Sequence, residues 1–322
     1  MSAASTITKT KLTEIFRKFG IYLILLLMIV VSSLLNSKFL TPANITNIMR
    51  QIVVIMLIAC GEQLVITGGD IDLSPGSVVA LAGCIGTSVF VTTNSVLLAI
   101  FASILIGGLC GLFSGFVLTR YGIPAFIVTL AVQTSARGLA LVFTNGVPIS
   151  NLDRLTVLGQ GYIGLIPIPV IILAIVLFIT WFIMSRRPLG RYIYAIGGNE
   201  SAAIASGINV KKVKMLSYLT NGCFVGLAGI ILMARVNSGQ PAIGVGYEFD
   251  GITACVVGGI SLSGGSGSII GTIAGGLIVG IINNMLNLQN VSAYYQQIVK
   301  GLVILIAVII DVKSKKSTSK SF

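Results

Sequence analysis

Histidine is absent from all 322 residues. That removes imidazole acid–base chemistry near neutral pH and every histidine-based metal site. Charge is nearly as scarce: Asp, Glu, Lys and Arg together make up 9% of the chain, with 9 acidic residues against 21 basic ones. A soluble domain carries about a quarter of its residues as charge, so this chain cannot build a water-facing surface of ordinary size. The five cysteines, Cys60, Cys84, Cys110, Cys223 and Cys255, stand singly in apolar stretches. They lack the close spacing of a zinc or redox site and are read as small core residues. No Gly-Lys pair occurs, hence no Walker A sequence, and any nucleotide-driven work must be done by another polypeptide. No catalytic constellation, metal site or cofactor site is expected.

What the chain does contain is grease and glycine: 55% hydrophobic residues, a mean hydropathy of +1.01 and 38 glycines. This composition defines an all-α polytopic membrane protein. The net charge of +12 does not point to nucleic acid. Its lysines and arginines collect at the N-terminus, in the stretch 185–214 and at the C-terminal tail, where they act as topology signals beside an anionic lipid leaflet.

At about 20 apolar residues per crossing, ten segments are expected: 20–35, 45–67, 77–93, 95–119, 123–144, 166–184, 215–236, 251–262, 268–287 and 295–311. The eighth is short and glycine-rich enough to be partly unwound or re-entrant. Residues 21–35 resemble a signal peptide core, but no small-x-small cleavage site follows, and they are read as a retained first helix. Ten crossings put both termini in the cytoplasm. The expected organisation is a cytoplasmic tail over 1–19, one transmembrane domain over 20–312 with a cytoplasmic loop at 185–214, and a second tail over 313–322. The loop 145–165 falls outside, with Asp153 and Arg154 exposed.

The loop 185–214 carries Arg186, Arg187, Arg191, Lys211, Lys212 and Lys214. Asn199 is placed as an N-cap, Glu200 where a helix N-terminus favours an anion, and Gly207 as the stop, so a helix is expected over Glu200–Ser206. So short a helix is not stable on its own propensity and must rest on something. Two readings are open: an ordinary connection lying on the lipid surface, or a compact element that fits a groove on a soluble partner.

Glycines recur every three or four residues, as at Gly107, Gly108, Gly111 and Gly115, and at Gly271, Gly275, Gly276 and Gly280. They are expected to be helix-packing seams. Glu62, Arg137 and Lys300 lie inside spans, where a charge costs about 3 kcal/mol, so each should face protein, a partner charge or water. Asn283, Asn284, Asn287 and Asn290 gather near one end of the ninth segment. Their amides could meet a polyhydroxylated solute or simply hydrogen-bond between helices. GGDIDLSPGS (68–77) is echoed by GGISLSGGSGS (258–268), read as two Gly/Ser-rich turns at one end of the bundle. Ser74 is expected to cap the helix that Pro75 begins, with Asp70 and Asp72 near the surface.

Three long stretches carry a resemblance: LGRYIYAIGGNESAAIASGINVKKVK, ARVNSGQPAIGVGYEFDGITACVVGGISLSGGSGSIIGT and INNMLNLQNVSAYYQQIVKGLVILIAVIID. Together with GGDIDLSPGS and FLTPANITNI, they resemble the permease subunit of ribose-type ATP-binding-cassette importers over nearly the whole chain beyond Lys38. Two departures stand out. Asp70 is an extra residue in a turn that usually runs Gly-Gly-Ile-Asp-Leu-Ser, and Glu62 stands where the family is usually neutral. The resemblance implies a multi-pass bacterial inner-membrane subunit that transports a monosaccharide such as ribose. Its implied partners are a cytoplasmic ATPase, an extracytoplasmic sugar-binding protein, a second permease copy and membrane lipid. It further implies that Gly198, Asn199, Glu200, Ala202, Ala203, Ser206 and Gly207 form the ATPase-coupling element, and it leaves Asn283, Asn284 and Asn287 as candidates for the substrate path. The competing class is an ion-coupled secondary carrier built on Glu62, Arg137 and Lys300.

Overall fold

The computed structural model describes residues 20–319. It is a helical bundle whose only strands, among the described residues, are a two-residue hairpin, Tyr162–Ile163 against Ile166–Pro167. The long helices begin and end where local chemistry dictates. Helix α1 spans Gly20–Leu35. Helix α2 (Pro42–Thr67) starts on a proline at its first turn, with Thr41 Oγ1 accepting from the Asn44 amide, an arrangement that uses an otherwise unpaired donor. Helices α3 (Pro75–Thr93), α4 (Val96–Tyr121) and α5 (Ala125–Thr144) follow. After a short helix α6 (Val157–Gln160) come α7 (Ile168–Arg186), α8 (Pro188–Gly198), α9 (Glu200–Ala205) and α10 (Val210–Val236). The chain closes with α11 (Tyr247–Val257), α12 (Ile269–Leu288) and α13 (Ala293–Ser319). Helices α3, α5 and α10 all end on an asparagine in the left-handed region, Asn94, Asn145 and Asn237, a conformation whose cost asparagine bears better than most residues.

Helix α2 is the axis of the bundle. Every residue from Ile52 to Thr67 is buried, as expected of a helix that is apolar on all sides. On one flank, α4 and α10 meet along a glycine seam: Gly107 and Gly111 face Gly222, and Gly226 faces Ser103, so closely that a Cβ at any of these glycines would overlap the opposite backbone. On the other flank, α11 and α12 pack on α2, with Gly276 against Met56 and Gly280 against Ile52. The expected seams in the fourth and ninth segments are therefore real contacts.

Among the described residues, seven helices are long and apolar enough to cross a membrane: α2, α3, α4, α5, α7, α10 and α12. Gly20–Leu35 and Ala293–Ile306 are shorter apolar helices. The eighth expected segment, 251–262, is displaced: α11 has 11 residues, a rise of about 16 Å, and ends at Val257 in a glycine-rich turn. Helix α10 begins at Val210 and takes Lys211, Lys212 and Lys214 out of the loop and into its first turns. The remainder of 185–214 holds an amphipathic helix, α8, not anticipated from sequence; Arg187 turns the chain and Pro188 opens the helix. The tails over 1–19 and 320–322 lie outside the described residues.

Two local expectations are corrected. Asp72 is 2% exposed, deep in the protein and not near its surface. Ser74 makes no side-chain cap; Asp72 Oδ1 accepts from the Ser74 amide at 2.8 Å instead. The reason is that residues 70–74 do not stay at the end of the bundle. They turn back into it, so α3 begins in the interior with Gly76 against Glu248 and Gly244.

Candidate coupling and translocation sites

The end of the bundle that carries Arg186, Arg187 and Lys211 also carries α8 and α9. Helix α9 is held as its sequence requires. Asn199 Oδ1 accepts from the Ala202 amide at 2.9 Å, and Gly207, at φ +80°, ends the helix by reversing the chain. Of the seven candidate coupling residues, Gly198, Asn199, Glu200, Ala202, Ser206 and Gly207 are exposed, while Ala203 is buried. Ala203 packs with Leu64, Met184, Ile193, Ile196, Val210 and Val213, so it seats α9 on the bundle and does not belong to the outer face. The outer face contains a residue the sequence reading passed over: Ile204, 58% exposed. An alternation of small residues hid it, because the register of a six-residue helix cannot be read from its own pattern.

Beside α9, the last turn of α8 and two glycine-rich turns meet backbone to backbone. The Gly265 amide donates to Thr67 O at 2.9 Å, and Gly197 lies so close to both that only a residue without a Cβ fits. Tyr194 adds a hydrogen bond from its hydroxyl to Gly267 O at 2.9 Å; burial raises its pKa above the usual tyrosine value. The echoed motifs behave alike here. Gly68, Gly69 and Asp70 donate to Leu64, Ile66 and Val65, and Gly258, Gly259 and Ile260 donate to Ala254, Val256 and Cys255, the same three-bond helix ending. The two turns end α2 and α11 side by side. Asp70 then pairs with Lys214 at 3.2 Å, and Lys214 pairs with Glu200 at 3.1 Å. Burial pushes the Asp70 carboxyl above its usual range, and the Lys214 ammonium partly offsets this.

Each in-span charge has found protein partners. Asn221 Nδ2 donates to Asp72 Oδ2 at 2.9 Å and reaches Glu62 Oε1 at 3.5 Å. Arg137 donates to the carbonyls of Pro241, Ile243 and Gly76. Gln133 donates to Glu248 Oε1 at 2.9 Å. Lys300 pairs with Asp250 at 2.7 Å. Asp250 and Glu248, which precede the expected eighth segment, are 2% and 3% exposed. The signal that could have found Asp250 was Lys300 itself, since a charge inside an apolar helix requires a counter-charge.

The asparagine stripe separates into three roles. Asn284 is buried and exchanges hydrogen bonds with Asn44 of α2 at 2.9 and 3.1 Å, an interhelical amide pair. Asn287 is exposed and accepts from Gln296 at 2.9 Å. Asn283 borders a cavity of about 10 Å³ shared with Asp250 and Lys300, room for no more than one water. A larger cleft of about 410 Å³ also borders Lys300, lined by Glu248, Phe249, Gln297 and Gly301 among others.

The bundle, with a half-length helix and polar clusters buried between its long apolar helices, is that of a polytopic membrane protein. Residues 44–308 match the family described as the branched-chain amino acid transport system / permease component, and the chain belongs to that permease family. It is 45% identical over 295 residues to the ribose import permease protein RbsC of Haemophilus influenzae, covering 90% of this chain and 91% of that one. It is 44% identical over 302 residues to the RbsC of Bacillus subtilis, covering 93% and 94%. The D-allose transport system permease protein AlsC of Escherichia coli is 38% identical over 298 residues, covering 91% of each chain. No solved structure matches the chain.

Proposed function

We propose that this chain is the permease subunit of an ATP-driven, ribose-type monosaccharide importer of the bacterial inner membrane. The near full-length likeness to ribose import permeases carries the reading. The chain itself makes and breaks no bonds; a separate ATPase hydrolyses ATP and an extracytoplasmic binding protein delivers the sugar.

In this reading the basic end of the bundle is cytoplasmic, and α9 seats in a groove of the ATPase by its exposed face, Gly198, Asn199, Glu200, Ala202, Ile204, Ser206 and Gly207. Ala203 holds the helix from behind. Two copies work together. The cleft beside Lys300 has the volume of a small-molecule site. It opens outward from this copy between α11 and α13, where a second copy would close it, and Gln297, Glu248 and Lys300 offer the hydrogen bonds a sugar needs.

The test is co-purification and uptake in the complete importer. Ile204→Glu places a charge where the groove should be apolar. The expected outcome is a normally abundant membrane protein that no longer retains the ATPase and loses ATP-dependent ribose uptake. Uptake that follows a proton or sodium gradient and ignores ATP would overturn the importer reading. Wild-type retention of the ATPase by Ile204→Glu would remove α9 as the docking element.

A further inference from the structure

Helix α9 has six residues and one buried side chain, Ala203. So small an element cannot move the bundle through its own packing; it needs a lever. Lys214 occupies the second turn of α10, and its ammonium lies almost midway between Glu200 Oε2 (3.1 Å) and Asp70 Oδ1 (3.2 Å). Glu200 is the first residue of α9. Asp70 is the first residue of the irregular segment that re-enters the bundle after α2.

Two residues beyond Asp70, Asp72 is fixed from two sides, accepting from the Ser74 amide and from Asn221 of α10. Asn221 in turn approaches Glu62 of α2. Pro75 then starts α3 against Glu248. A short segment of backbone, held at Asp72, therefore joins Asp70 to the depth at which α3 begins, and Lys214 joins Asp70 to α9.

We propose that Lys214, clamped between Glu200 and Asp70, is a positioning residue for transport: it transmits displacement of α9 to the re-entrant segment 70–74 and so to the start of α3. This rests on the docking reading of α9. A structural role alone fits less well, because the Glu200 side of the bridge is half exposed and such pairs contribute little to stability.

The experiment uses the complete importer in proteoliposomes, with ribose as the probe sugar, and measures sugar accumulated per ATP hydrolysed together with ATPase retention. Lys214→Met and Asp70→Asn should retain the ATPase at the stoichiometry of the unaltered protein while sugar per ATP falls at least fivefold. Lys214→Arg and Asp70→Glu keep the charges and should stay within twofold of the unaltered ratio. A Lys214→Met importer with an unaltered ratio would overturn the proposal. So would loss of ATPase retention in that variant, which would make the bridge part of docking or folding. If Lys214→Met yields no folded permease, Asp70→Asn decides the matter. It leaves the Lys214–Glu200 pair in place and should still lower the ratio at least fivefold with the ATPase bound; an unchanged ratio overturns the proposal. An unaltered importer that fails to accumulate ribose at all would count against the sugar assignment and not against the lever.

Discussion

At position 300 a lysine stands in the middle of an apolar helix, and the protein answers it with Asp250 at 2.7 Å. The pair is mostly sheltered, the Asp250 side chain at 3% exposure and Lys300 at 24%. Removing one member leaves the other buried without its counter-charge, a loss of about 3–5 kcal/mol. Asn283, whose amide is 3.5 Å from Asp250, is too far to compensate fully. Lys300→Leu is therefore expected to lower the thermal midpoint of the purified permease strongly, and Lys300→Leu combined with Asp250→Leu should recover part of that loss. A single variant as stable as the parent would show that Lys300 reaches lipid headgroups and leaves Asp250 idle. The lysine's need for a partner was legible in the sequence. The identity of that partner, fifty positions away on a different helix, was not.

Between elements, the closest approach is α4 on α10, where glycines face each other across the seam. In lipid there is little hydrophobic drive between helices, so close backbone contact supplies the attraction. Gly107→Leu inserts a side chain where no space exists, which is expected to cost about 1–3 kcal/mol or more and to reduce the monodisperse fraction in detergent. Gly301→Ala is the control: nothing lies within 4 Å of its Cβ position, and alanine is the better helix former by about 1 kcal/mol, so this variant should be at least as stable as the parent. The repeat of small residues announced these seams without the structure. The same chain gave no warning of α8, because its amphipathic pattern sits inside a basic loop, nor of the shift that takes α11 upstream to Tyr247. The half-length of α11 follows from Gly258 and Gly259, which end it by the same hydrogen-bond pattern that ends α2.

For the molecule as a whole, the distribution of lysine and arginine sets an orientation that a reporter can check. A reporter active only in the cytoplasm should work when inserted within 186–214 or fused after Lys316, and should stay silent within 145–165. Silence at 186–214 would invert the bundle and place α9 on the wrong side for an ATPase. By itself the sequence determined the membrane class, the places of the seven helices long enough to cross to within about five residues, the caps of α9 and the family, because these depend on composition, on span length and on short-range hydrogen bonding. Only the tertiary structure decided that Ala203 points inward and Ile204 outward, that the three asparagines of α12 have three different surroundings, and that residues 70–74 turn back into the bundle to bury Asp72 beside Asn221. Those outcomes depend on which helices lie against one another, and contacts between different helices leave no periodicity in the chain that makes them.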